Sequence, residues 1–449
     1  MTTILFEDEG YAALLPLVYS RPTYDLRCGI FTLRERVAAQ TGAQPSAICR
    51  PHLAVVYGSG RWPLHLLSRS EPVVLVNGRA LETAWLPELL DAPLNTLLLA
   101  DAGVSLLGTP VLLGAKLSPH LASAVLGYLL AQRGAAALAE LMRFCAAREV
   151  KTKLLSFPWD LVNENGAQIA SDCAIHQRAN GWPSAAARPP EAQGIVISAP
   201  ERVFIHPDAW LHGPLAIDAR GGPIVIDAAT IEPFSFIQGP CFIGEGALIS
   251  SAKVRGETSI GPWSRIGGEV EASIVQAYSN KHHEGFLGHA YLGEWVNIGA
   301  MTTNSDLKNT YGNIRMTIEG LGQVDSGTLK LGCFLADHVK LGIGVHLNGG
   351  AMIGTGANIF GVHFAPKTIP PFTWGGQVFR EYRIDSMIDV TRKVMGRRKI
   401  PLTADGEALL RDVFAQTRGD RTEMRGTTSL RAAPADEAAL AAAEAAVLE

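Results

Sequence analysis

A chain of 449 residues with 47% hydrophobic content has material for two or three buried cores. A formal net charge of −4 without a dominant basic stripe argues against a nucleic-acid binder and leaves small molecules as the expected partners. The opening MTTILFEDEGYAALLPL carries acids where a secretory signal has positive charge, and no uncharged apolar run of about 18 residues follows; a cytoplasmic protein without a membrane segment is predicted. Six cysteines, at positions 28, 49, 145, 173, 241 and 333, show no metal-ligand spacing and read as reduced thiols.

Residues 1–150 alternate short apolar runs of strand length (Thr3–Phe6, Leu53–Tyr57, Val73–Val76, Thr96–Leu99) with helical stretches such as Thr32–Gln40 and Leu121–Arg148. The pattern predicts an α/β domain with a largely parallel sheet, and such sheets hold ligands beyond the carboxyl ends of their strands, here the loops after Phe6, Tyr57 and Val76. Arg21, Asp25 and Arg27 precede a helix, where guanidinium forks and a helix N-terminus together suit phosphate oxygens. A surface turn with solvated charges is an equal alternative. Asn77-Gly78-Arg79 ends a strand where a polar group could meet a nucleotide, although Asn-Gly is also an ordinary turn.

Residues 151–194 read as a connector, with an ordered segment around Trp159 and the Pro/Ala/Gly-rich run GWPSAAARPPEAQG. From about Ile195 the periodicity becomes six. Val225, Ile231, Ile237, Ile243 and Ile249 are spaced by six, as are Leu329, Leu335, Leu341, Leu347, Ile353 and Ile359, often with glycine next. This is the hexapeptide signature of a parallel β-helix spanning 195–375. Three repeats close one triangular coil, so Leu329 is expected to stack on Leu347, Leu335 on Ile353 and Leu341 on Ile359 at ~4.8 Å. Such repeats resemble the left-handed β-helix acyltransferases and nucleotide-sugar enzymes, and that resemblance implies a homotrimer. A C-terminal helix is predicted within 376–400, over Glu381–Lys399, with a basic end RKVMGRRK; 401–449 reads as an Ala/Glu-rich tail.

Three of the twelve histidines, His282, His283 and His289, fall in the stretch Ser279–Gly312. Its His283-Glu284-Gly285-Phe286-Leu287-Gly288 resembles the His-x-x-Tyr-Leu-Gly of the bifunctional N-acetylglucosamine-1-phosphate uridyltransferase/glucosamine-1-phosphate N-acetyltransferase (GlmU) family. Trp295 to Ala300 and Thr303 to Asp306 are similar to that family's VNIGAG and Asn-Tyr-Asp segments. The resemblance implies acetyl transfer from acetyl-CoA to an amino-sugar phosphate and nucleotidyl transfer to a sugar-1-phosphate, the latter with magnesium. It casts His283 as general base and Asn304 as substrate-side asparagine; acetyl transfer also needs groups that orient the substrate, for which Lys281, Lys308 and Asn297 are the candidates, and oxyanion donors, for which the backbone N–H groups at Gly299 or Ala300 are placed. Three features depart from it, the first being Phe286, which lacks the hydroxyl of the family's tyrosine. The Gly-rich LAAGxGTRM loop is absent, and Arg79 stands where the family places a magnesium-binding aspartate. Two alternatives stay open: a catalytically silent scaffold that binds sugar phosphate or nucleotide, and a zinc hydratase of the type that γ-class carbonic anhydrases represent, for which His338, His346 and His363 lack the His-x4-His spacing.

Overall fold

The computed structural model describes residues 1–57, 71–100, 110–361 and 363–421. Six N-terminal strands, β1 (Thr2–Phe6), β2 (Ser46–Ile48), β3 (Val73–Asn77), β4 (Thr96–Ala100), β5 (Val111–Leu117) and β6 (Ala146–Val150), form one sheet in the order β2-β1-β3-β5-β4-β6. β1 pairs in parallel with β2 and β3, and β4 with β6, whereas β5 runs antiparallel to both neighbours. The sheet is therefore mixed, not largely parallel. Helices cover both of its faces, which is why β3 and β4 read as unbroken apolar runs.

The helices of this part are α1 (Leu33–Thr41), α2 (Ala54–Tyr57), α3 (Leu86–Asp91), α4 (Pro119–Leu130) and α5 (Gly134–Leu141). A reciprocal Thr32–Glu35 capping box starts α1. The long helix expected over 121–148 breaks where Gln132 takes a positive φ of 52°, and its last residues become β6. The strand expected at 53–57 is instead one helical turn, whose Val56 and Tyr57 N–H groups return to the Leu53 carbonyl. Most of the stretch read as a connector is a 23-residue helix, α6 (Pro158–Asn180), opened by proline and closed by Gly181 at a φ of 64°.

The second half is a three-faced parallel β-helix, and its six-residue repeat is that of the left-handed class. The faces are numbered by the order of strands within a coil, as in Phe286–Gly288, Tyr291–Glu294 and Asn297–Ile298, and the second face is a nine-stranded sheet. Its inward row runs Ile226, Ile243, Ile260, Val275, Leu292, Leu335, Ile353 and Ile369, each in register with the next. On the third face Leu341 lies on Ile359, as the repeat predicts. Two expectations fail. Val225 points outward, away from the prism, and packs with Ile169, Cys173 and Phe242 under α6. Leu329 is half exposed, and Asn304 occupies the rung beneath Leu347, because 305–330 leaves the repeat as an insertion. That insertion carries an antiparallel hairpin of Arg315–Ile318 and Gly322–Asp325.

The outward side of the second face is covered by the N-terminal domain. Tyr291, Phe334 and Met352 join one core with Leu5, Tyr24 and Trp159. Within it Arg21 donates to both oxygens of Asp337, at 2.8 and 2.9 Å, and to Glu294 at 3.1 Å, while Ser20 donates to Asp337 at 2.5 Å. Two helices complete the described chain: α7 (Ile384–Gly396), inside the predicted Glu381–Lys399, and α8 (Ala404–Gln416), which packs against α2. The tail from 422 onward lies outside the described residues.

Arg21→Ala leaves the Asp337 carboxylate, 3% exposed, without its guanidinium. A loss of about 3–5 kcal/mol is expected, read by calorimetry as a lower midpoint for the interdomain transition. An unchanged melt counts against this docking of the two halves.

Candidate functional site

The His283 turn sits on the prism edge between the third-face strand Asn280–Lys281 and the first-face strand Phe286–Gly288. Gly285 adopts a φ of 133°, and a Cβ there would meet the Thr302 carbonyl oxygen at 2.2 Å, so only glycine lets this turn lie against the next coil. The Glu284 carbonyl accepts from the Met301 N–H at 2.8 Å and fixes the same contact. His283 is exposed. Its ring meets that of His282 with centroids 5.2 Å apart, and its nitrogens have no hydrogen-bond partner among the described residues. An imidazole presented in this way can accept a proton from a bound molecule.

Lys281 does not orient a substrate. It occupies an inward rung above Ile266 and is 2% exposed. Its ammonium donates to the Gly267 carbonyl at 2.8 Å and the His283 carbonyl at 2.6 Å. Burial pulls its pKa down to about 8. Gly268, at a φ of 67°, makes room, since a Cβ there would lie 2.6 Å from Nζ. Lys281 thus ties down the turn that carries His283. Asn304 also points inward, at 4% exposure: its Oδ1 accepts from the Gly288 N–H and its Nδ2 donates to the Gly288 carbonyl, both at 2.9 Å. Its polar groups are satisfied by the coil and are unavailable to a ligand. Lys308 donates to the Asn313 carbonyl in the insertion, away from the His283 turn.

Asn297 is where a ligand could reach it, exposed on the outer side of the third face. It belongs to a polar strip that sequence reasoning did not assemble. Arg265, Asn280 and Asn297 are successive register partners on neighbouring coils, and Arg398, just beyond α7, donates to Asn280 Oδ1 at 2.8 Å. Burial, then the charges of Arg265 and Arg397, pushes the Arg398 pKa down. Burial, then His283, Arg265 and Arg398, does the same to His282. Neither Arg265 nor Arg398 has an ion-pair partner among the described residues. Crowded guanidiniums beside an exposed imidazole suit an anionic ligand. The basic run RKVMGRRK was the available signal; the fold adds Arg265.

His289, six residues after His283, has a different setting. Its Nδ1 lies 2.8 Å from Asp306 Oδ2. Burial pushes the Asp306 carboxyl up, but His289, Lys330 and a backbone N–H together hold it low.

In the N-terminal domain the expected phosphate ligands are otherwise engaged. Arg21 is locked to Asp337, and Asp25 takes two bonds from Arg34, at 2.8 and 3.0 Å. Arg27 is buried, with its N–H on Gln276 Oε1 at 2.8 Å and its guanidinium on the Ile30 carbonyl. The domain does have a cavity of about 330 Å³ at the carboxyl ends of β1 and β3, where the loops after Phe6 and Val76 were expected to bind. The loop after Tyr57 lies outside the described residues. Phe6, Asp8, Asn77, Arg79 and Leu112 line this cavity, and the hairpin tip Glu319–Leu321 of the β-helix closes one side.

Arg79 grips Asp8 at 2.6 and 2.8 Å, and Asn77 donates to Asp8 at 2.8 Å and to the Leu112 carbonyl at 2.9 Å. Burial raises the Asp8 carboxyl, but the Arg79 guanidinium, the Asn77 amide and the Gly10 N–H together hold it below the usual carboxylate range. The residues present do not fit magnesium. A guanidinium stands where the family resemblance implies a metal-binding carboxylate, and the nearest carboxylate is neutralised by it.

Lys281 gives a pH test of the tied-down turn. Its folded pKa, about 8, lies below the ordinary value of ~10.4, so across that window the unfolded chain holds the proton that the folded chain has lost. Stability contributed at this site therefore rises with pH. Thermal melts are expected to show the wild type gaining on Lys281→Met between pH 8 and 10; parallel profiles contradict the placement.

Compared with known proteins, residues 3–180 match a family model described as sugar nucleotidyl transferase, a span that takes in α6. The bifunctional protein GlmU of Acidithiobacillus ferrooxidans is 34% identical over 164 residues, which are 35% of this chain and 30% of that protein. A bifunctional sugar-1-phosphate nucleotidylyltransferase/acetyltransferase of Sulfurisphaera tokodaii is 32% identical over 99 residues, 22% of this chain and 24% of that one. The chain thus spans less than a third of the length of these curated relatives. Among solved structures, a putative acetyltransferase from Bacillus cereus covers 51% of this chain and 98% of its own at 14% identity, with a TM-score of 0.19, too slight a likeness to argue from. Residues 3–180 thus match the sugar nucleotidyl transferase family and are joined to a hexapeptide β-helix, and the chain is similar to part of the bifunctional GlmU proteins.

Proposed function

We propose that the chain is a cytoplasmic transferase of nucleotide-sugar metabolism, whose β-helix transfers acetyl from acetyl-CoA to an amino-sugar phosphate. The observation that carries this reading is the exposed His283 beside the strip of Arg265, Asn280, Asn297 and Arg398. His283 takes the proton from the amine as its nitrogen attacks the thioester carbonyl; the C–N bond forms, the C–S bond breaks, and the thiolate of coenzyme A leaves. The guanidiniums and amides hold phosphate oxygens. The Gly299 N–H already donates to the Leu341 carbonyl at 2.9 Å, which leaves Ala300 as the backbone donor to the oxyanion. Nucleotidyl transfer to a sugar-1-phosphate is the second activity of the family resemblance. The Asp8–Arg79 pair favours binding without that transfer in the N-terminal domain.

A homotrimer is part of the same proposal. On the prism edge that carries His283, Phe234, Met301 and Ile343 are 77%, 60% and 78% exposed, an apolar line that a second copy would cover. This edge lies between the first and third faces, opposite the second face that the N-terminal domain covers.

His283→Ala is expected to lower acetyl transfer to glucosamine-1-phosphate by roughly 10²–10⁴-fold with unchanged thermal stability, measured by mass spectrometry of the sugar phosphates. A variant that retains wild-type turnover removes His283 from the mechanism. Ile343→Glu is expected to shift the assembly toward monomer in light scattering; an unaltered mass contradicts association through this edge.

A further inference from the structure

The cavity of the N-terminal domain is built by both halves of the chain. Ile314, Met316 and Ile318, all at most 1% exposed, anchor the hairpin insertion in the core shared with Leu14, Leu17 and Val18. That anchorage carries Glu319, Gly320 and Leu321 to the cavity wall. Tyr19 orients the tip, its hydroxyl lying 3.0 Å from Glu319 Oε2 and 3.4 Å from Asp420 Oδ2, while Glu319 Oε1 accepts from no described residue.

The charges within the cavity are arranged for an unusual ligand. The floor pair, Asp8 and Arg79, cancels itself. The N-terminus of α5, where a phosphate would be drawn, is occupied by the Glu9 carboxylate, which accepts from the Gly134 and Ala135 N–H groups at 2.7 and 3.0 Å. Among the described residues the remaining capacity at the rim is that of acceptors, on Glu9 and Glu319, above walls formed by Phe6, Val111 and Leu112. Acceptors over apolar walls recognise hydroxyl or amide N–H donors on a ring, and a volume of about 330 Å³ is near the lower end for small-molecule sites.

We propose that this cavity is a metal-independent site for an uncharged, hydroxyl-bearing ring, a nucleoside or a hexose, and that Glu319 of the β-helix hairpin is its specificity-determining acceptor. The proposal rests on the reading that the chain handles components of nucleotide-sugars. A polyol ring could come from either half of such a compound, and the test separates the two.

Isothermal titration of the full chain is made with two panels, the common nucleosides and a set of hexoses including N-acetylglucosamine, each in EDTA and in magnesium, with UTP plus magnesium as the charged comparator. At least one uncharged probe is expected to bind with the same Kd in EDTA as in magnesium and more tightly than UTP. Glu319→Ala is expected to weaken that probe tenfold or more; Tyr19→Phe, which releases the tip without removing the acceptor, is expected to weaken it less. Binding that needs magnesium, a Glu319→Ala variant that binds as well as wild type, or no binding of any uncharged probe overturns the proposal. Because the readout is binding, a chain that transfers no acetyl group defeats the transferase reading and leaves this result intact.

Discussion

One inward side chain per strand must fill the prism, and this stacking constraint governs where the site can form. The rows are aliphatic over most of their length, and each buried Ile or Leu contributes roughly 1.5–3 kcal/mol. They are interrupted at Lys281 and Asn304, two polar side chains that spend their hydrogen bonds on the coil itself. Both interruptions adjoin the first-face strand Phe286–Gly288. Lys281 holds the carbonyl of His283, and Asn304 closes on the backbone of Gly288. The cost of polar groups in an apolar interior is met by pinning the segment whose side chains face solvent.

The second constraint is that the N-terminal domain lies along one whole face of the prism. Its contact is polar at the centre, with Arg21 between Asp337 and Glu294, and apolar around it. That arrangement brings the hairpin insertion of the β-helix to the cavity of the other domain, so that residues 319–321 belong to the wall of a cavity whose floor is Asp8 and Arg79.

The six-residue period was legible because each coil repeats the same local requirement, an aliphatic side chain inward and a permissive residue at the turn. The stacking of Leu335 on Ile353 and Leu341 on Ile359 followed directly. The period could not reveal that Val225 is apolar for α6 rather than for the prism, since both surroundings select the same residue type. It also could not reveal that 305–330 leaves the coil, which displaced Leu329 from its expected rung. In the N-terminal domain, Arg21 and Arg27 looked like phosphate ligands because a sequence shows charges without their partners. Those partners, Asp337 and Gln276, lie about 316 and 249 positions away. His283 and Asn297 were found through the resemblance, whereas Arg265 and Arg398 meet only once the coils stack and α7 folds back.

On the reading proposed above, the prism edge at His283 and the basic strip beside it bind the acyl donor and its acceptor. Hydrogen–deuterium exchange of the full chain with and without coenzyme A tests it directly. Protection is predicted at 280–285, 297–301 and 397–399. Protection confined to the N-terminal domain, or none at a saturating concentration, would contradict the claim.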